Sequence, residues 1–221
     1  MKTTEPGSSR RGRPARSPKQ AQASRQRVLQ AARRLFAEQG YEGVSMRKIA
    51  SLAGCSPASL YTLFPNKRQL LRNLWEIAFE DLMEQLESCY QSTPDSARLE
   101  ALCVTFIDFW LERQDDYREI FLIEDRLQDA GDSYFVDSSE AIPRLSIIRH
   151  AVSEAQARGE IGPGDPGEIQ NILLCTLQGV ALSLITIPEY AWGNPGQLKL
   201  ATIRTMLKGL ANTQIVGGAA I

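Results

Sequence analysis

Polar side chains that could bind nucleic acid are concentrated between residues 45 and 62 of this 221-residue chain. Apolar residues recur between them at helical spacing, which leaves the polar side chains on an outward face. Hydroxyls, a guanidinium and a phenol on one narrow face can bind the phosphates and base edges of a DNA major groove. The residues of this face are Ser45, Arg47, Ser56, Ser59, Tyr61 and Thr62. A generic helical hairpin with a solvated face is the alternative explanation.

Two short helices must position this polar face. Ser45 and Ser56 are favoured N-cap residues, and Pro57 follows Ser56 at the first helical position. Gly54, between the two helices, can adopt a backbone conformation that most residues avoid, which lets the helices cross at a steep angle. The sequence therefore predicts a helix-turn-helix over Ser45–Phe64.

The rest of the chain carries the same helical periodicity, with no sustained alternation of the kind that predicts strands. We predict an all-α fold of about nine helices. The first helix ends at Gly40, two short helices follow, and a fourth, long helix begins after Asn66. The remaining helices are predicted at Ser96–Arg113, Tyr117–Gln128, Ile142–Arg158, Pro166–Ile187 and Pro195–Ala211.

The charge is divided unequally along the chain. Residues 1–76 contain 15 Lys and Arg against 4 Asp and Glu, whereas residues 77–221 contain 10 against 22. A basic first third joined to an acidic remainder suggests that the first part meets a polyanion. Either nucleic acid or an anionic membrane surface would supply one, so the choice depends on the motifs.

Several classes of protein are not expected. The longest apolar run, Gly179 to Pro188, is half of the ~20 residues that a bilayer span needs, and the start lacks a secretory signal, so we expect a cytoplasmic location. Four scattered cysteines and a single histidine offer no metal-site spacing. Because no nucleophile, base or metal ligands converge, we expect neither an enzyme nor a cofactor.

The amino-terminal region is similar to the DNA-binding domain of TetR-family transcriptional regulators over roughly residues 22–82. The resemblance implies a helix-turn-helix domain over 22–82 and a helical ligand-binding and dimerisation domain over 83–221. The residues before the first domain, rich in Arg, Lys, Pro, Gly and Ser with almost nothing apolar, predict a disordered basic tail at 1–21. The matching residues are Ala31-Ala32, Leu35-Phe36, Gly40-Tyr41, Ser45, Ile49-Ala50, Ala53-Gly54, Ser56, Leu60-Tyr61, Phe64, Lys67 and Leu70-Leu71.

The resemblance also implies which residues contact DNA. They are Ser45, Met46 and Arg47 from the second helix, Ser56, Ala58, Ser59, Tyr61 and Thr62 from the recognition helix, and Lys67 at the start of the fourth helix. Arg47 has the fork geometry for a guanine edge, whereas Tyr61 and Lys67 are better suited to phosphates. Thr62 and Ala58 could pack on thymine methyl groups. Ala58 stands where the family very often has glycine, so the local DNA contact is expected to differ.

Two features near this region have more than one interpretation. Arg11-Gly12-Arg13-Pro14 resembles the core of an AT-hook, in which Arg11 and Arg13 would enter a narrow A·T minor groove. A solvated basic tail that attracts phosphates without sequence preference is the alternative. Cys55 lies in the turn before the recognition helix, as a small packing residue or as a thiol that senses oxidation.

The carboxy-terminal region suggests a pocket and a dimer interface. The aromatic residues Phe106, Phe109, Trp110 and Phe121 could line an apolar pocket, although such a set is more often core. The predicted helix Pro166–Ile187 is apolar on two sides, which predicts burial on two sides, by a second copy or within a monomer core. The predicted interface residues are Ile172, Cys175, Gly179, Leu182, Leu200, Ile203, Leu207 and Leu210.

These features together predict a ligand-responsive transcriptional regulator with three partners: double-stranded DNA, a second copy of itself and a small-molecule effector. A repressor that binds a palindromic operator as a homodimer and is released by a small apolar ligand is the leading hypothesis. An architectural DNA-binding protein and a helical enzyme are the alternatives. The inducer, the operator and the choice between repressor and activator are not encoded in any motif.

Overall fold

A computed structural model describes residues 18–125 and 132–212. The tail residues Arg11 and Arg13 lie outside this part of the chain. Over the described residues the protein is all-α, as predicted, with ten α-helices, one 3-10 helix and no strand. The α-helices are α1 (Pro18–Gly43), α2 (Met46–Leu52), α3 (Pro57–Leu63), α4 (Lys67–Ser92), α5 (Asp95–Glu112), α6 (Gln114–Phe121), α7 (Phe135–Ser138), α8 (Ser146–Ala157), α9 (Pro166–Thr186) and α10 (Pro195–Ala211).

The chain forms two compact units that divide between Leu70 and Leu71. The first unit contains α1, α2, α3 and the first turn of α4, whose remaining turns belong to the second unit. The domain boundary predicted after residue 82 rests on the resemblance to the family, and it stays a prediction beside this division into compact units.

The first unit is built around a small apolar core. Val28, Ala32, Ile49 and Leu60 are completely buried, so α1, α2 and α3 each contribute to it. Helical geometry in α1 is interrupted at Gly40, which has a φ of 69° and a ψ of 163°. Because side chains disfavour that region, Gly40 ends the regular helix where the sequence predicts it.

The second unit is a bundle in which α5, α8, α9 and α10 pack together. One stripe of α9 is completely buried in it: Ile169, Leu173, Leu177, Ala181 and Ile185. Among the described residues, α9 is the helix with the length and composition that could cross a bilayer. A fully buried stripe packed against α5 and α8 is the pattern of a core helix in a bundle.

Two predicted helices differ from the observed ones. The helix predicted over Tyr117–Gln128 ends at Phe121, and the short helix α7 follows at Phe135–Ser138. The segment after Phe121 is held instead by Asp125, whose carboxylate accepts a hydrogen bond from the Phe135 N–H at 2.6 Å. The predicted Ile142–Arg158 helix begins as a 3-10 helix, Ile142–Leu145, and becomes α-helical at Ser146. In the first case a tertiary contact overrides local helix propensity.

Candidate nucleic-acid interface and ligand cavity

The helix-turn-helix is closed by the predicted caps. The Ser45 hydroxyl accepts a hydrogen bond from the Lys48 N–H at 3.3 Å, and the Ser56 hydroxyl accepts one from the Ser59 N–H at 3.2 Å. Gly54 has a φ of 64°, in the left-handed region, so the turn uses the conformational freedom that the sequence suggested. These three features fix how α2 and α3 cross.

The predicted reading face is largely exposed. Ser45, Arg47, Ser56, Ala58, Tyr61 and Thr62 are exposed, and Ser59 is half-buried. Tyr61 keeps 49% of its surface accessible, and Arg47 forms no ion pair with any residue that the structure describes. An exposed guanidinium without an internal partner is available to an external acceptor.

Met46 and Thr62 differ in detail from the rest of this face. The Met46 side chain is 7% exposed and belongs to the core, so only its backbone N–H, at the start of α2, is available to DNA. The Thr62 hydroxyl donates to the Ala58 carbonyl at 2.9 Å, so its proton is used within α3. Met46 is the first residue of the seven-residue helix α2, and helical spacing over so short a segment does not predict whether its first side chain is buried or exposed.

Lys67 holds the connection between α1 and α2. Its ammonium donates to the carbonyl oxygens of Tyr41 at 2.8 Å and Val44 at 3.2 Å, and it lies 4.0 Å from the centre of the Tyr41 ring. Lys48 binds the same connection from α2, donating to the Gly43 carbonyl at 3.0 Å. Lys67 therefore positions the reading helices, and its ammonium also lies 4.0 Å from the exposed Glu42 carboxylate, so a phosphate contact there stays a prediction.

Replacing Lys67 should destabilise the first unit. Lys67→Met leaves two carbonyls without their charged donor, which costs about 1–3 kcal/mol in the free energy of unfolding. Lys48→Met is the matched control: Lys48 also binds a carbonyl but is exposed, so its loss should cost less than ~1 kcal/mol. Urea unfolding, followed by circular dichroism, measures both, and equal losses would contradict a positioning role for Lys67.

Three of the four predicted pocket residues lie inside the core of the second unit. Phe106, Phe109 and Trp110 are each at most 1% exposed, and their rings pack edge to face. Phe121 differs from them because it is 38% exposed and lines a cavity. Phe106, Phe109 and Trp110 are enclosed and, unlike Phe121, do not line this cavity, so their part in a ligand pocket stays a prediction.

The cavity beside Phe121 has a volume of about 270 Å³. Three segments form its wall: α4, the end of α6 with the residues after it, and the segment from Tyr134 to Ile142. Among the described residues, its lining is apolar and aromatic except for Asp125, the Tyr134 hydroxyl and the Trp75 indole N–H. The lining residues are Trp75, Phe79, Ile120, Phe121, Ile123, Asp125, Tyr134, Phe135, Val136 and Ile142.

Residues of α4 hold the cavity wall in place. The Trp75 indole N–H donates to the Glu119 carbonyl at 3.0 Å, which fixes α6. The Glu76 carboxylate accepts hydrogen bonds from the N–H groups of Glu140 and Ala141 at 3.0 and 2.9 Å, which fixes the segment after α7. Of the predicted pocket residues only Phe121 lines this cavity, because the other lining residues come from segments without a common periodicity.

The predicted interface residues of α9 are accessible. Ile172 is 39% exposed and Leu182 is 41% exposed, and Cys175 and Gly179 on the same helix are also exposed. The α10 residues behave differently: Leu200 and Leu207 are half-buried. Ile203 and Leu210 are 0% and 6% exposed, so they lie in the core within one chain, and their place at the interface stays a prediction.

The described part of the chain contains few side chains placed to bind a metal ion. No group of three or more His, Cys, Asp or Glu side chains there is arranged to hold a metal ion. The buried Cys103 thiol has its pKa raised to about 12 because burial disfavours the thiolate. A thiol with that pKa is a packing group rather than a nucleophile at neutral pH.

Comparison with known proteins agrees with the helix-turn-helix geometry. Residues 28–74 match the profile of a family described as bacterial regulatory proteins, tetR family. The chain is 39% identical to the transcriptional regulator AcrR of Shigella flexneri over 79 residues, which are 35% of this chain and 36% of AcrR. This match thus spans about a third of that relative.

Longer similarities extend into the second unit. The chain is 27% identical to the transcriptional repressor KstR2 of Mycolicibacterium smegmatis over 153 residues, 66% of this chain and 73% of KstR2. A solved structure of a protein of unknown function from Rhodococcus sp. RHA1 is 27% identical with a TM-score of 0.71. That comparison covers 86% of this chain and 96% of the other. The whole helical architecture, and not the helix-turn-helix alone, is therefore shared with known proteins.

Proposed function

Because the chain belongs to the TetR family of transcriptional regulators, we propose that it is a ligand-responsive repressor in the cytoplasm. It binds a palindromic operator as a homodimer and leaves the operator when a small apolar ligand binds. The observation that carries this proposal is the exposed face of α2 and α3, on which Arg47 and Tyr61 are free for DNA.

DNA binding follows from the chemistry of that face. A two-fold dimer presents two recognition helices to half-sites about 34–36 Å apart, one turn of the double helix. Arg47 reads a base edge, whereas Tyr61 binds phosphate and fixes the register. Arg11 and Arg13, in the basic tail, add either a minor-groove contact or a nonspecific attraction to phosphates.

The position of the cavity supports release by a ligand. Trp75 and Phe79, on α4, line the cavity, and α4 begins at Lys67, which binds the connection between α1 and α2. A ligand that favours one position of α4 biases the dimer toward a state that no longer fits the operator. The ligand acts only through its preference for that state, with typical couplings of about 1–3 kcal/mol. KstR2, which is named a repressor, supports the sign of regulation.

Selection of bound sequences from random duplex DNA tests this proposal. We expect the full-length protein to enrich a palindrome, and footprinting to show protection of both half-sites. Enrichment of no sequence above background would instead support an architectural DNA-binding protein. Sedimentation with and without the selected duplex then measures the number of subunits bound.

Arg47 and Tyr61 should separate base reading from phosphate binding. Arg47→Ala should relax the preference at one base position, which is worth about 1–3 kcal/mol there. Tyr61→Phe, which removes the hydroxyl alone, should weaken binding to all operator variants by a similar factor. A titration panel with each base of the half-site changed in turn measures both. The same pattern in both variants would contradict this division of roles.

A further inference from the structure

The cavity in the second unit offers a ligand almost no charge. Among the described residues, Asp125 is the only charged side chain that lines it. The other polar side-chain groups of the described lining are the Tyr134 hydroxyl and the Trp75 indole N–H, which already donates to the Glu119 carbonyl. If the single ionised group of a cavity is unpaired, it favours a ligand of opposite charge; if it is already neutralised within the protein, it favours an uncharged ligand. The surroundings of Asp125 therefore decide the class of ligand.

Asp125 is already paired within the chain. Its carboxylate binds the Arg72 guanidinium, with Nη2 at 2.9 Å and Nε at 3.4 Å, and accepts the Phe135 N–H at 2.6 Å. Arg72 also donates to the Ser133 carbonyl and lies 3.9 Å from the Asp132 carboxylate. The side chains of Arg72 and Asp125 are 15% and 16% exposed, so water screens this pair weakly. Its charge is therefore largely used inside the protein.

Aromatic rings form much of the remaining wall, and two of their pairs pack edge to face, whereas Ile120, Ile123, Val136 and Ile142 supply aliphatic surface. Trp75 and Phe135 have centroids 5.3 Å apart with their planes at 78°, and Phe79 and Phe121 are 6.2 Å apart at 73°. Such walls suit another aromatic ring, which can stack or pack edge to face against them. Phe121, Tyr134 and Val136, at the rim, are 38%, 51% and 59% exposed, so the cavity entrance is apolar as well.

We infer that this cavity binds an uncharged aromatic molecule of about the size of two fused rings. The inference deepens the proposed function, since it names the ligand class of the site that would control DNA binding. Anions are disfavoured because no cationic side chain lines the cavity among the residues that the structure describes, and ring faces carry negative potential. A cation meets a carboxylate that Arg72 already neutralises, so its attraction to the ring faces must alone offset the loss of its water. At about 270 Å³, the cavity is at the small end of ligand sites, which typically span ~300–1,000 Å³.

Three naphthalene probes that differ only in charge test this inference. Calorimetric titration of the full-length protein with 2-naphthol, 2-naphthoate and 2-naphthylmethylammonium at neutral pH compares a neutral, an anionic and a cationic ligand on the same ring. We expect 2-naphthol to bind at least tenfold more tightly than either charged probe. Ile142→Trp fills the cavity from its wall and should remove 2-naphthol binding.

Removing Arg72 should invert the preference between the neutral and cationic probes. Arg72→Met leaves the Asp125 carboxylate without its guanidinium, so 2-naphthylmethylammonium should bind more tightly than 2-naphthol. Arg113→Met is the matched control. It breaks a 2.6 Å ion pair with Asp81, which lies on α4 as Arg72 does, but neither Arg113 nor Asp81 lines the cavity. It should leave the order of the three probes unchanged.

Failure of 2-naphthol to bind, or equal binding of a charged probe to the unmodified protein, would overturn the inference. So would undiminished 2-naphthol binding to Ile142→Trp. If circular dichroism shows that Arg72→Met is unfolded, the titrations of the unmodified protein and of Ile142→Trp still test the inference. Operator binding is measured without any probe, so loss of the proposed function and loss of the ligand class are separate results.

Discussion

Leu182→Glu should convert the protein from a dimer to a monomer and weaken operator binding by at least about 100-fold. Leu182 is 41% exposed on the accessible stripe of α9, which also contains Ile172, Cys175 and Gly179. In a two-fold interface the same stripe meets its copy, so each glutamate would lose water and oppose apolar side chains. Without the dimer the second half-site is no longer bound intramolecularly, a loss of about 10²–10⁴ in affinity.

Sedimentation at micromolar concentration and titration of the full operator measure the two effects together. Ser153→Glu is the control, because it adds the same charge at an exposed position of α8 outside the stripe. It should stay dimeric and bind the operator nearly as the unmodified protein does. A dimeric Leu182→Glu variant would show that the accessible stripe of α9 is not the interface.

The helix-turn-helix could be predicted in detail because each part of it is specified locally. A serine before each helix, a proline at the first position of α3 and a glycine with positive φ act within a few residues of themselves. A local rule needs no knowledge of what packs against it. The match between the predicted and observed caps at Ser45 and Ser56 follows from that.

The cavity and the α10 interface could not be predicted in the same way. Phe121 and Trp110 are both aromatic, and only the third dimension places one at a cavity wall and the other inside the core. Ile203 and Leu210 share a helical stripe with Leu207, and the stripe does not say which copy of the chain covers it. Arg72, which neutralises Asp125 across 53 positions, leaves no local pattern at all.

Trp110 should give the largest loss of stability of any residue in the second unit when it is truncated. It is completely buried, and its ring centroid lies within 6.4 Å of five other aromatic rings. These belong to Phe79, Phe106, Phe109, Tyr117 and Phe121. Trp110→Ala leaves a large void among rings that cannot collapse into it, which costs about 3–5 kcal/mol in the free energy of unfolding.

Trp110→Phe is the informative companion, because the Trp110 indole N–H is buried without a hydrogen-bond acceptor among the described residues. An unmet buried donor costs about 1–3 kcal/mol, so its removal offsets part of the volume lost on replacement by phenylalanine. We therefore expect Trp110→Phe to lose less than half as much stability as Trp110→Ala. Urea unfolding followed by near-ultraviolet circular dichroism reports the packing of these rings. Equal losses in the two variants would mean that the indole N–H is satisfied, and that ring volume alone sets the cost.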